Sequence, residues 1–234
     1  MRTWLRGQPK SFYLLLSLLA MLVLYPLALR SEMTQLVFRI CFTSTVLGGI
    51  YAIGDNRRAL YTGLALAVPS ILSNVLLFFL PWPSLIVTTL MLGAAFFGYL
   101  IVTLMRHVLR DHQVSLDTIY CAVAAYMLMA LFFTALFVLV EYVWPNSFKG
   151  EFTSNKFFRF SFADGFYFSV CTLTTVGFGD VLASGPEARC LTMMEAMLGV
   201  LYPAVLISRL VGLHTSSAGA SPRPPASEAP PGAA

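Results

Sequence analysis

Residues 172–180 read TLTTVGFGD: three threonines, two glycines and a carboxylate between an aromatic run and another apolar one. This grouping offers little to a soluble core and much to a bare cation. A monovalent ion leaving water must exchange its hydration oxygens for others, and backbone carbonyls are the densest array of neutral oxygen dipoles a short segment supplies. Gly177 and Gly179 admit backbone angles closed to other residues, so successive carbonyls can face one axis. Val176 and Phe178 then turn their side chains away from that axis, and Thr175 adds a hydroxyl acceptor at the inner end. For Asp180 two readings stand: a solvated loop carboxylate, or a brace that also draws cations weakly.

A carbonyl row of this kind has work to do only at membrane depth, and the composition provides for that. Of 234 residues, 58% are hydrophobic and 11% charged, against roughly one quarter charged in ordinary globular domains. Apolar runs long enough to cross a hydrocarbon core of about 30 Å occupy residues 11–29, 34–53, 59–80, 84–105 and 116–143, with a sixth at 190–213. The expected fold class is therefore an all-α membrane protein with six transmembrane helices. The first run follows Arg2, Arg6 and Lys10; it is longer than a secretory signal core and lacks a clean small-residue cleavage site, so it reads as a retained span.

The basic residues set the orientation. Arg2, Arg6, Lys10, Arg57, Arg58, Arg106, Arg110, Arg209 and Arg223 fall on one side, and before the fifth run only Arg30 falls on the other. The positive-inside bias makes both termini cytoplasmic in a multi-pass protein of the cell membrane. It also accounts for the formal charge of +4 without a nucleic-acid-binding stripe.

The one long loop, between the fifth and sixth runs, is then external. Within it Ser161 precedes Asp164 by three positions, a capping pattern at a helix start. A helix over 162–174 would be about 20 Å long, too short to span, and so re-entrant. The segment after it must return as irregular backbone, tolerated at that depth only against protein or along a water-filled path.

On these residues the chain resembles the potassium channel family: Thr174, Thr175, Val176, Gly177, Phe178, Gly179 and Asp180 look like its selectivity filter. The resemblance covers roughly residues 116–213. It implies a re-entrant pore helix and filter loop, with K+ bound by the backbone carbonyls of Thr175, Val176, Gly177, Phe178 and Gly179, supported by Thr174, Tyr167 and Asp180. It implies a homotetramer, because one strand of carbonyls cannot surround an ion. Beyond the permeant K+ no cofactor is expected, and beyond membrane lipids no partner: neither nucleic acid nor a soluble ligand domain.

Phe178 stands where the family more often has tyrosine. Tyr167 and Phe168 stand where many members have a tryptophan pair, so Tyr167 is placed to hydrogen-bond Asp180. Gly199 lies about where the family's inner helix has its hinge glycine, with Pro203 one turn on; both are gating candidates, or the ordinary glycine and proline of membrane helices. Glu195, an acid inside an apolar run, either braces the re-entrant helix and senses protons or ions, or is a neutral, hydrogen-bonded carboxyl.

The expected organisation is a cytoplasmic N-terminus (1–10), a four-helix transmembrane domain (11–105) and a cytoplasmic linker (106–115). A pore domain (116–213) follows, with outer helix, pore helix 162–174, filter 174–180 and inner helix 190–213. A disordered Pro-rich tail (214–234) ends the chain. The fourth run lacks the repeated arginines of a voltage sensor, so steep voltage dependence is not expected. Cys41, Cys121, Cys171 and Cys190 show no C-x-x-C spacing, and His107, His112 and His214 no metal-ligand pattern; all read as packing or solvated residues. With no nucleophile and base pair or phosphate loop, an enzyme is not indicated. The sequence points to a passive potassium-selective channel; a weakly selective cation channel and a non-conducting membrane scaffold or sensor remain as alternatives.

Overall fold

The computed structural model describes residues 10–28, 33–54, 57–80, 82–110, 115–150, 152 and 159–218. Expectations for residues 1–9 and 219–234 lie outside the described residues. The helices are α1 (Lys10–Ala28), α2 (Met33–Ile53), α3 (Arg57–Phe79), α4 (Pro83–Arg110), α5 (Leu116–Val143), α6 (Phe162–Leu173) and α7 (Pro186–Ala218). Two short strands, β1 (Phe148–Gly150) and β2 (Val181–Ala183), pair antiparallel.

Among the described residues four helices are long and apolar enough to cross a membrane: Arg57–Leu77, Pro83–Arg110, Leu116–Val143 and Pro186–Arg209. Two shorter apolar helices are Lys10–Tyr25 and Ile40–Ile53. The chain is an all-α, multi-pass membrane protein.

Three boundaries differ from the sequence expectation for physical reasons. α4 continues to Arg110, into the expected linker, because nothing there breaks a helix and His107 and Arg110 suit the negative end of its dipole. α7 begins at Pro186, not at 190, since proline at a first helical position lacks only an N–H the helix cannot use. It then runs to Ala218, through residues 214–218 of the expected tail; after Pro203 the next proline is Pro222.

Lipid tails are as apolar as leucine, so helices in a membrane associate through close packing and satisfied polar groups. α5 holds the centre, packed against α1, α4, α6 and α7. Its buried face is rich in alanine, with Ala122, Ala124, Ala125 and Ala130 allowing near approach. Buried hydroxyls satisfy themselves within their own helices: Thr45 donates to the Cys41 carbonyl at 2.9 Å, Thr89 to Leu85 at 2.8 Å and Thr134 to Ala130 at 2.6 Å.

One core cluster joins α1, α2, α4 and α5 through residues such as Leu14, Phe97, Leu100 and Leu128. A second is aromatic and surrounds β1: Phe148 stacks on Phe160 at 4.6 Å and meets Phe137 and Phe168 edge-on at 5.5 and 5.3 Å. Through the pairing of Phe148 with Ala183 and Gly150 with Val181, this cluster also fixes the chain leaving residue 180.

Candidate functional site

The site is built from α6 outward. Ser161 caps the helix: its hydroxyl accepts from the Asp164 N–H at 3.2 Å, while the Asp164 carboxylate accepts from the Ser161 N–H at 2.9 Å. The helix runs 12 residues and ends at Leu173 with Thr174 as its cap, one residue short of the expected end. Beyond it the backbone turns back on the helix. The Cys171 carbonyl accepts both the Val176 N–H at 2.9 Å and the Gly177 N–H at 3.2 Å, and Thr175 N–H donates to Thr172 at 3.0 Å.

Three residues of this turn take the left-handed region: Thr175 (φ 61°), Gly177 (φ 51°) and Gly179 (φ 81°). For Thr175 that conformation is strained; for the glycines it carries no steric penalty. A Cβ at 177 or 179 would meet nothing within 4 Å, so backbone angle and not crowding calls for glycine there. Residues 174–180 are all exposed on the single chain, with Phe178 at 71%.

At the outer end, the Tyr167 hydroxyl donates to Asp180 Oδ2 at 2.7 Å. The Tyr167 ring lies parallel to Phe178 at 6.4 Å, and Tyr25 of α1 stacks on Tyr167, also at 6.4 Å. The first helix thus reaches the support of the 174–180 turn.

At the inner end, the Leu173 carbonyl accepts from the Tyr126 hydroxyl of α5 at 2.9 Å. Tyr126 stacks on Tyr202 of α7 at 5.5 Å, and Tyr202 donates to the Ala122 carbonyl at 2.7 Å. Gly199 of α7 sits against the same Leu173 carbonyl: a Cβ there would lie 2.1 Å from the oxygen. Pro203, one turn further, is half-buried, and α7 continues through it.

Between these ends, Glu195 is fully buried and bonded through Oε1 to the Ser169 hydroxyl of α6. Ser169 also lies 2.8 Å from the Ala130 carbonyl of α5. A hydroxyl has one proton and cannot donate to two acceptors at once, so a carboxylic acid at Glu195, donating to Ser169, completes the chain to Ala130. Glu195 Oε2 has no hydrogen-bond partner among the described residues.

Two arrangements escaped sequence reasoning. Glu141, buried at the end of α5, accepts the N–H groups of Asn146 and Phe148, both at 3.0 Å, and so holds the turn in which Asn146 has φ 70°. The only available signal was an acid ending an apolar run just before a Pro-Asn pair. His107, read from sequence as solvated, and Cys121, read as packing, are brought together with Asp117 at the α4–α5 junction; donor atoms of the three lie within 4.8 Å of one another. No short sequence spacing announces that cluster, because His107 belongs to a different helix.

Comparison with known protein families falls on the same part of the chain. The family model described as an ion channel matches residues 123–215, from within α5 through the 174–180 turn into α7. Protein LctB of Bacillus caldotenax is 33% identical over 101 residues, 43% of this chain and 75% of that protein. Potassium channel protein kcv of Paramecium bursaria Chlorella virus 1 is 38% identical over 64 residues, 27% of this chain and 68% of that protein. The inward rectifier potassium channel Kirbac3.1 of Paramagnetospirillum magnetotacticum is 42% identical over 55 residues, 24% and 19% of the two chains. No solved structure matches at a significant level. A capped short helix, a glycine-turned TTVGFGD segment and a long apolar helix after it, matched over this span by an ion-channel model, together with the similarity to proteins named as potassium channels, make this chain a member of the potassium channel family.

Proposed function

We propose that the chain is one subunit of a homotetrameric, potassium-selective channel. Four copies of residues 174–180 surround the permeant ion, with α5 as outer helix, α6 as re-entrant pore helix and α7 as inner helix. α1 to α4 form an accessory membrane domain, giving six spans with both termini cytoplasmic in the cell membrane. The carbonyls of Thr175 to Gly179 replace the hydration shell of K+, and transport is passive.

The observation that carries this reading is the alternation of left-handed glycines around Phe178, directly beyond a capped helix of 12 residues. That backbone can aim neighbouring carbonyls at a common axis. The tetramer is supported by uneven burial: in an apolar 18-residue stretch of each helix, 67% is buried within the chain for α5 but only 11% for α7. Met193, Met197, Val200, Leu201 and Val205 of α7 are exposed apolar residues of the face that symmetry-related copies and lipid would cover. Steep voltage gating finds no support in α4, whose only arginines are Arg106 and Arg110 near its end. Gly199, Pro203 and Glu195 lie on the inner helix, where an opening motion would have to pass.

The test is cation uptake into liposomes containing the purified protein. The expected result is uptake driven by a K+ gradient and not by Na+, abolished by Gly177→Asp, from a particle of four subunits by native mass measurement. Equal uptake of both ions would replace this reading with a weakly selective cation channel, and a tetramer without flux under any gradient would favour a scaffold.

A further inference from the structure

The α4–α5 junction carries a donor set that the 174–180 turn does not use. His107 lies in the last turn of α4, and Asp117 and Cys121 lie one helical turn apart on the same face at the start of α5. His107 Nε2 stands 3.3 Å from Asp117 Oδ2, and the Cys121 sulfur completes a triangle whose atoms all lie within 4.8 Å of one another. The other Asp117 oxygen, Oδ1, accepts from the Ser11 hydroxyl at the start of α1, which fixes the carboxylate plane and leaves Oδ2 turned to the histidine. His107 is half exposed at 50% and Cys121 buried at 3%, so the triangle opens to solvent on one side and is walled by protein on the other.

We propose that His107, Asp117 and Cys121 form a binding site for a thiophilic divalent cation, Zn2+ being the fitting ion. An imidazole, a carboxylate and a thiolate are three ligands of the kind tetrahedral zinc takes, with water at the open fourth position. Bonds of about 2.0 to 2.3 Å place such donors roughly 3.3 to 3.8 Å apart. The His107–Asp117 pair already meets this, and the sulfur needs only a small side-chain adjustment. A thiolate selects against Mg2+ and Ca2+, which prefer all-oxygen sets. Binding displaces the Cys121 proton to solvent and takes His107 as neutral imidazole with Nε2 as ligand, so affinity falls as pH drops. The Ser11 contact is the outer partner that orients the carboxylate ligand. A bound ion joins α4 directly to α5 and, through Ser11, to α1, clasping the accessory helices to the outer helix at the end opposite the 174–180 turn.

The site is tested by cobalt(II) titration of the purified full-length protein in detergent micelles, so its outcome is independent of whether the protein conducts. Expected are one cobalt per chain, a thiolate-to-cobalt charge-transfer band with visible bands of tetrahedral intensity, and displacement of both by Zn2+. Cys121→Ser, nearly the same size, removes the charge-transfer band, and His107→Ala weakens binding at least tenfold. Unchanged elution volume and near-ultraviolet circular dichroism certify that each variant is folded. Should Cys121→Ser not fold, His107→Gln at its half-exposed position carries the comparison. Absence of the charge-transfer band in the parent protein, or its survival in folded Cys121→Ser or undiminished in the His107 variant, overturns the site.

Discussion

Gly199 and the carbonyl of Leu173 meet so closely that no side chain fits between them: a Cβ at 199 would stand 2.1 Å from the oxygen. The contact joins the middle of α7 to the end of α6, where Leu173 also accepts from Tyr126. The contact gives this glycine a role in helix packing. Gly199→Ala is expected to force α7 off α6, destabilise the protein by about 1 to 3 kcal/mol as overpacking does, and abolish flux. Gly212→Ala, where a Cβ meets nothing within 4 Å, is the tolerated control. Thermal unfolding of the purified variants decides: a Gly199→Ala protein as stable as the parent but altered in opening would favour the hinge over the packing role.

Tyr167 is the pivot of the outer support, bonded to Asp180 at 2.7 Å and lying parallel to Phe178. Tyr167→Phe keeps the ring and removes the hydroxyl, a loss of about 1 kcal/mol for a partly exposed hydrogen bond. The expected result is a several-fold drop in the ratio of K+ to Na+ uptake, with assembly intact. Asp180→Asn retains an acceptor oxygen and should do less. Equal uptake ratios for Tyr167→Phe and the parent would remove Tyr167 from the support.

What could be read from the sequence was local in the chain. The Ser161–Asp164 cap lies within one turn, and glycines alternating with bulkier residues dictate their own backbone angles. Contacts between distant positions were hidden. Gly199 could be named as a candidate, but its meeting with Leu173 depends on how α7 leans on α6. Likewise His107 and Cys121 became neighbours only when α4 and α5 folded side by side. Apolar runs located the helices; that α5 is central followed from its alanine-lined face and not from its hydropathy, since every run is apolar.

Glu141 holds the turn after α5 by accepting two backbone N–H groups, those of Asn146 and Phe148. Removing both acceptors strands two amides, one of them on the buried Phe148 at the centre of the aromatic cluster. Glu141→Ala is expected to destabilise the protein by about 2 to 6 kcal/mol at about 1 to 3 kcal/mol per unsatisfied group. Glu141→Gln keeps one acceptor and falls between. Hydrogen exchange at the Phe148 amide, by mass spectrometry, should quicken in the alanine variant first. Exchange unchanged from the parent would show that the ribbon holds itself.

Glu195 and Ser169 give the sharpest test of protonation inside the membrane. With Glu195 as a carboxylic acid donating a hydrogen bond to Ser169, which donates its own to the Ala130 carbonyl, a neutral amide can take its place. Glu195→Gln donates through its NH2 group and is expected to match the parent in stability and flux. Glu195→Ala leaves Ser169 without that donor and opens a cavity, and Ser169→Ala leaves the acid unpaired while the Ala130 carbonyl keeps the Thr134 hydroxyl. Each is expected to destabilise by about 0.6 to 2 kcal/mol, the range for single hydrogen bonds between membrane helices. The double variant Glu195→Ala with Ser169→Ala should lose less than the sum, because each single change already breaks the shared bond. Were Glu195→Gln to lose as much as Glu195→Ala, the carboxyl would instead be acting as a charged acceptor, with Ser169 giving its proton to Glu195 and not to Ala130.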